Sequence, residues 1–451
     1  MQTRKSYALV GSGGRSVMFL HPLVKEYTDT ARLVALCDLS DIRMKRHLEV
    51  LGKDFGLQDE VACYAPEDFE KMLAETKPDT VFITTVDSLH ADYILRSLQA
   101  GCNVIVEKPI AINAEQCRAI QEAARKSDRN VRVTFNFRWS PGVTAVRKAL
   151  QEGSIGNIKH VNFEYLLDTS HGADYFRRWH SNLKNSGGLL VHKSTHHFDL
   201  INWWIDSIPE TIFAFGDLNF YGKQNAIARG DEAFTKYDRY TGNDTQDDPF
   251  TFDLLADERA KKLYYDAEKD SGYIRDQNVF RDGIDIYDTM SVNARYRSNC
   301  TLNYSLVAYS PYEGFRVSIT GDRGRLEYYE LHNAHLIVGQ SDEELAAQQK
   351  STSTEHPSKQ LQIFPHFKPS YKIPIQELSG GHGGGDPLIV EQIFSKNPPV
   401  ETAHRNAGWE QGIASAIIGI SANESIASGK PVKVSDLITL RPEATKLSEL
   451  I

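Results

Sequence analysis

The sequence predicts an α/β protein in which a doubly wound parallel sheet is followed by a second domain built on a mostly antiparallel sheet. Two observations carry this reading. As far as residue 135, short continuous apolar runs alternate with helix-length stretches, the mark of βαβ units whose strands are covered on both faces. Beyond about Phe137 the strand-like runs alternate apolar with polar residues, as half-covered antiparallel strands do. A chain of 451 residues also exceeds one core of ordinary size, so two domains are expected, 1–134 and 135–451.

Taken in order, Tyr7–Val10 is the first apolar run and ends in Gly11-Ser12-Gly13-Gly14-Arg15-Ser16. Leu33–Cys37 is the second and is closed by Asp38. Helices are expected from Asp41 to about Leu51 and over Pro66–Thr76, then a strand at Thr80–Thr84. His90–Ala100 reads as a helix stopped by Gly101, and Asn103–Val106 as the next strand. Asn113 is placed to cap a helix over Ala114–Lys126, where Cys117, Ile120 and Ala124 share a face. Val131–Phe135 closes the series.

In the second half the alternation runs through Ile158–Leu166, Ser291–Ala308 and Phe315–Tyr329. Residues 216–278 are polar and lack clean periodicity. They read as an insertion, with helix expected near Asp257–Asp266. Gln340–Ser358 reads as a surface loop. Gly380–Asp386 is too glycine-rich for regular structure, and reads either as a linker or as a loop that brings His382 to the site. Trp409–Ser428 reads as a helix with a small-residue face, stopped at Gly429.

Composition narrows the function classes. Hydrophobic residues are 41% and charged residues 25%, as in soluble globular proteins. A net charge of -9 argues against nucleic acid or anionic membrane as a partner, since both require a cationic face. No stretch is apolar enough to span a bilayer, and the start lacks the apolar core of a signal peptide, so a cytoplasmic protein is expected. The five cysteines are scattered and form no C-x-x-C pair, which suits reduced packing residues.

The glycine turn lies between an apolar strand and a helix, so its backbone N–H groups can approach a pyrophosphate. Gly11 permits the tight turn and Gly13 the close approach, while Ser16 stands where the G-x-G-x-x-G pattern has its third glycine. Asp38 falls where an acid meets the ribose hydroxyls and would repel a 2′-phosphate, favouring NAD over NADP. Arg15 and Arg43 keep NADP open. An ordinary α/β domain without nucleotide is the competing reading.

Glu107-Lys108-Pro109 follows the strand Val104–Val106, at the sheet edge where ligands of such folds bind. On spacing alone, a surface lysine explains it equally well. The set Gly11–Ser16, Asp38, Thr84-Thr85 with His90, Glu107-Lys108-Pro109 and Asn136-Phe137-Arg138 resembles the Gfo/Idh/MocA family. The similarity continues through Ser186-Gly187-Gly188 and His196-x-x-Asp199 to Trp409–Ser428, and leaves only 216–278 without a counterpart. It implies a Rossmann domain carrying Gly11, Gly13, Gly14, Arg15, Ser16, Asp38, Thr85, His90 and Glu107 around the cofactor. It implies a large open second sheet, often used to oligomerise, hence a homodimer or homotetramer. It further implies that Lys108 meets substrate and nicotinamide and that His196 is the acid/base. Those residue types suit oxidation of a secondary alcohol, which needs a base for the hydroxyl proton and a cation for the developing alkoxide.

One position departs from the family, which has an acid four residues before the histidine where this chain has His192. If the run is helical, His192, His196 and Asp199 share a face. Three readings compete: His192 replaces the acid and reshapes the pocket, or it joins His196 in a metal site, or one histidine, most readily His197, is a packed core residue. Asp199 is expected to orient His196 or cap local structure. Arg138, Tyr175, Arg177, Arg178 and His180 are candidates for binding sugar hydroxyls or a carboxylate, against surface charge and packing, and Tyr309 is expected near the cleft, at a turn between two strands.

Three functions follow. The first is an NAD-dependent dehydrogenase that oxidises a sugar, sugar derivative or cyclitol. The second is a redox-neutral relative that cycles NAD while cleaving or epimerising a glycoside. The third is a dinucleotide-binding sensor in which Lys108 and His196 are dispensable.

Overall fold

The computed structural model describes residues 4–333, 358–378 and 381–450. The first sheet contains β1 (Lys5–Val10), β2 (Ala31–Cys37), β3 (Ala62–Tyr64), β4 (Thr80–Ile83), β5 (Asn103–Val106) and β6 (Val131–Val133). All six are parallel, in the order β6-β5-β4-β1-β2-β3. The order reverses between β1 and β4, which opens a crevice at their carboxyl ends. The intervening helices include Asp41–Phe55, capped by Ser40 and ended by Gly56, and Ala114–Lys126, capped by Asn113 at 2.9 Å to the Gln116 N–H.

The second sheet is built from β7 (Ile158–Asp168), β8 (Pro209–Asp217), β9 (Thr289–Tyr296), β10 (Thr301–Ser310), β11 (Glu313–Gly321), β12 (Gly324–Asn333), β13 (Lys359–Pro365) and β14 (Tyr371–Ile373). Its neighbours are antiparallel apart from β7 and β10. The runs expected at Ser291–Ala308 and Phe315–Tyr329 are each two strands, folded at tight turns. The chain then returns to the first lobe. β15 (Ala407–Gly408) adds an antiparallel edge to β6, and β16 (Val432–Lys433) pairs with β8 in the second sheet.

The glycine-rich stretch differs from expectation, since a helix spans Gly381–Phe394. Gly383 and Gly384 sit at φ +62 and +90, which glycine adopts without steric cost, and this lets the run enter the helix. Ile389, Val390, Ile393 and Phe394 are buried against the first sheet, Phe394 lying 5.2 Å from Tyr7 between ring centres. Each such side chain contributes roughly 1.5–3 kcal/mol of burial. Residues 340–357 of the loop expected at Gln340–Ser358 lie outside the described residues, and so does the His382 side chain.

The helix Trp409–Ser428 wedges between the lobes. A Cβ at Gly419 would stand 2.1 Å from the Leu190 carbonyl oxygen, so only glycine admits the Leu189–His192 turn there. This contact fixes the histidine run relative to the first lobe. Residues 218–278 leave β8, form short helical turns including Glu258–Ala260 and Lys261–Tyr265, and reach the crevice edge of the first sheet.

Candidate active site

A cleft of about 630 Å³ runs from the glycine turn, past the ends of β4 and β5, to the histidine run. Gly11 has φ +92, and a Cβ there would lie 2.7 Å from the Thr84 carbonyl carbon. Gly13 faces open space within 4 Å. Ser16 turns away from the cleft, donating from Oγ to the Gly13 carbonyl at 2.7 Å. His47 supports the same turn through Nε2, 3.0 Å from the Ser12 carbonyl oxygen.

Asp38 closes β2 and accepts from the Ser12 N–H at 2.6 Å and the Ser40 N–H at 2.8 Å. Arg43 lies 3.5 Å from its Oδ1. Arg15 bonds to Glu107 at 2.9 Å, so both arginines are already paired. His90 bridges the Pro109 carbonyl at 2.7 Å and the Thr85 carbonyl at 3.3 Å, tying the ends of β4 and β5 together. Gly14, Thr85 and His90 line the cleft with these groups. A buried acid at the strand end beside a glycine turn open to the cleft fits a dinucleotide.

At the other end, Lys108 Nζ donates to the His192 carbonyl at 3.0 Å. Burial lowers the Lys108 ammonium to about 8. His192 Nδ1 meets Asp87 Oδ2 at 2.5 Å. Burial raises the Asp87 carboxyl and lowers the His192 imidazole, disfavouring the charged form of each. His196 lines the same cleft, its ring edge-on to Phe135 and Phe137 at 6.2 and 6.1 Å.

Tyr175 and Arg178 also line the cleft. Tyr175 Oη is 3.0 Å from His171 Nε2, and His171 Nδ1 is 2.9 Å from Glu313. Burial opposes ionisation of Glu313, yet hydrogen bonds from His171 and His332 outweigh it and hold the carboxyl below its usual range. Tyr175, His171 and Glu313 thus form one hydrogen-bonded series in the cleft wall.

Four expectations are corrected. Arg138 is fully buried and forms two hydrogen bonds to Asp199, at 2.7 and 2.6 Å. Asp199 therefore holds Arg138 and accepts from Ser415 rather than turning toward His196. A guanidinium without solvent takes the nearest carboxylate, which removes both residues from the cleft. Tyr309 stacks on Phe220 at 4.6 Å and bonds Thr289, outside the cleft lining. Arg177 donates to the Phe250 carbonyl at 2.6 Å inside the second lobe.

The histidine run is also not one helix: Leu189–His192 ends at Lys193 and Ser194–Ile205 follows. His197 is packed in the core, 2.8 Å from Tyr304 Oη and stacked on Tyr165. Among the described residues, no group of three or more His, Cys, Asp or Glu side chains is placed to hold a metal ion.

Sequence reasoning missed Asp87, Lys193, His171, Tyr264 and Tyr273, all of which line the cleft. Lys193 carried a signal, its place between His192 and His196. The others reach the site only through tertiary approach.

Comparison with known proteins matches this architecture. Residues 5–135 match the model "Oxidoreductase family, NAD-binding Rossmann fold" and residues 147–434 match "Oxidoreductase family, C-terminal alpha/beta domain". The chain belongs to the Gfo/Idh/MocA oxidoreductase family. Over 97% of its length it is 32% identical to a Bacillus subtilis (strain 168) protein, YteT, named as an oxidoreductase and covered to 99%. It is 30% identical to an inositol 2-dehydrogenase of Rhizobium meliloti (strain 1021), over 46% of this chain and 57% of that one. The solved structure of an aldose-aldose oxidoreductase from Caulobacter crescentus superposes with a TM-score of 0.59 at 15% identity, over 96% of this chain and 100% of that one. That likeness concerns the fold. As a Gfo/Idh/MocA protein the chain is an oxidoreductase with a nicotinamide-dinucleotide domain. No helix among the described residues is long and apolar enough to cross a membrane.

Proposed function

We propose that this protein oxidises a secondary hydroxyl of a sugar, sugar derivative or cyclitol, with NAD as hydride acceptor. The observation that carries the reading is the meeting of Lys108, from the end of β5, with the His192–His196 run of the other lobe in one cleft. In this reading residues 1–134 hold the cofactor and 135–451 supply the substrate wall and the oligomer contact. Gly11, Gly13 and Gly14 would take the pyrophosphate through their backbone, and Asp38 the ribose hydroxyls.

NAD, when bound, supplies the two-electron acceptor. Lys108 donates a hydrogen bond to the reacting oxygen and offsets its growing negative charge. His196 takes the hydroxyl proton. His192 and Asp87 hold each other beside Lys108 and fix that part of the wall. Tyr175 and Arg178 offer donors to neighbouring hydroxyls.

Incubation with excess NAD and a panel of aldoses, sugar acids and inositols, read as NADH absorbance, tests the proposal. Stoichiometric NADH with at least one compound is expected. Substrate turnover without NADH accumulation would replace it with the redox-neutral reading.

A further inference from the structure

Residues 218–278 do more than decorate the second lobe. Their far end crosses to the first lobe and settles on the groups that follow β2. Asp270 Oδ2 accepts from Ser40 Oγ at 2.8 Å and from the Ile42 N–H at 3.3 Å, at the amino end of the helix Asp41–Phe55. Arg43, on the first turn of that helix, is held by the same segment and by Asp38. Its Nε donates to the Leu263 carbonyl at 2.9 Å and its Nη2 to Ser271 Oγ at 3.2 Å, while Nη1 faces Asp38 at 3.5 Å. Tyr264 comes down over the glycine turn, its Oη 2.8 Å from where a Cβ on Gly14 would stand.

In dinucleotide sites of this topology the groups just past the second strand face the adenosine ribose. A 2′-phosphate there is received by an arginine and by main-chain and hydroxyl donors at the helix start. This chain has all of those donors, in Ser40, Ile42 and Arg43, and its own insertion occupies each of them. A carboxylate takes the donors that a 2′-phosphate would use in such a site, and Ser40 links it to a second carboxylate, Asp38.

We propose that Asp270 is an internal counterpart of the 2′-phosphate, so that the insertion, and not the Rossmann domain alone, selects NAD against NADP. The selection works by occupancy and by charge. NADP must displace Asp270 from Ser40 and Ile42 and bring its phosphate between two carboxylates, whereas NAD leaves the contact intact. The proposal rests on the reading of this cleft as an NAD site, and it adds a determinant about 230 positions away in sequence from Asp38.

The test is equilibrium binding of NAD and of NADP to the full-length protein, by calorimetry, for wild type, Asp270→Ala and Asp270→Asn. Wild type is expected to bind NADP at least 100-fold more weakly than NAD. Both variants are expected to bind NADP about 10-fold more tightly than wild type does, with NAD affinity kept within about threefold. Thermal melting of each variant shows that it is folded, and Asp270→Asn retains the side-chain size should the alanine variant fail. NADP affinity unchanged in a folded variant that binds NAD normally overturns the role of Asp270 and leaves the NAD site standing. Tight NADP binding by wild type overturns it as well. Wild type that binds neither dinucleotide overturns the cofactor reading itself, and the inference with it.

Discussion

Lys108 Nζ and the main-chain carbonyl of His192 are joined at 3.0 Å across the cleft, so the ammonium proposed to meet substrate is positioned by both lobes at once. Replacing Lys108 by Met removes the charge and keeps most of the volume. A loss of about 10²–10³ in kcat is expected, with NAD affinity within about threefold, measured by steady-state kinetics and calorimetry. Equal activity in the variant would reduce Lys108 to a wall residue.

The same ammonium sets a pH limb. Burial brings Lys108 down to about 8 from its ordinary 10.5, so its charged fraction falls as pH rises through that value. If the charge is needed, kcat declines above pH ~8. Lys108→Arg, charged throughout, is expected to lose that limb even where its overall rate is lower.

His47 gives a stability prediction with a definite sign. Burial lowers its imidazole from 6.5 to about 4, so the folded protein holds it neutral while the unfolded chain protonates first. The contribution is complete above pH 6.5 and is lost as pH falls from 6.5 toward 4. Urea denaturation of wild type should weaken over that interval by on the order of 2–3 kcal/mol more than denaturation of His47→Gln. Parallel curves for the two proteins would contradict it.

Arg138 and Asp199 form a buried pair with fractional exposures of 0% and 1%. Arg138→Met alone strands a carboxylate and is expected to cost about 3–5 kcal/mol in chemical denaturation. The double variant Arg138→Met with Asp199→Leu should recover a large part of that loss. A variant of normal stability with a raised KM would instead restore Arg138 to the substrate site.

Gly11→Ala tests the cofactor turn. At φ +92, with the Thr84 backbone 2.7 Å from a new Cβ, the methyl group cannot fit without moving β1 from β4. Loss of NAD binding by at least tenfold, or a clear drop in melting temperature, is expected.

The first sheet was legible because continuous apolar runs such as Thr80–Ile83 can be satisfied only between two layers of helix, and because Asn113 and Gly101 punctuate their helices through local chemistry. β3 escaped notice: its three residues lie at a sheet edge and none is fully buried. The candidate cofactor residues were proposed for the same local reason, since a turn, a strand end and a helix start lie close together in sequence. Arg138 was not, because a ligand-binding arginine and a buried one look alike until a partner 61 residues away is known. Asp87 and Asp270 illustrate the limit further: their partners, His192 and Ser40, lie on the opposite lobe. The polar character of 216–278 marked an insertion but could not say where it lands.

The pairing of Ala407–Gly408 with β6, and of Phe394 with Tyr7, has a bearing on biosynthesis. A nascent chain released as far as residue 135 has every parallel strand of its first sheet, yet it lacks the edge that shields Val131–Val133 and the aromatic ring that seals Tyr7 and Phe82. The nucleotide lobe must therefore wait, with that border bare, until residues 394–408 have left the ribosome.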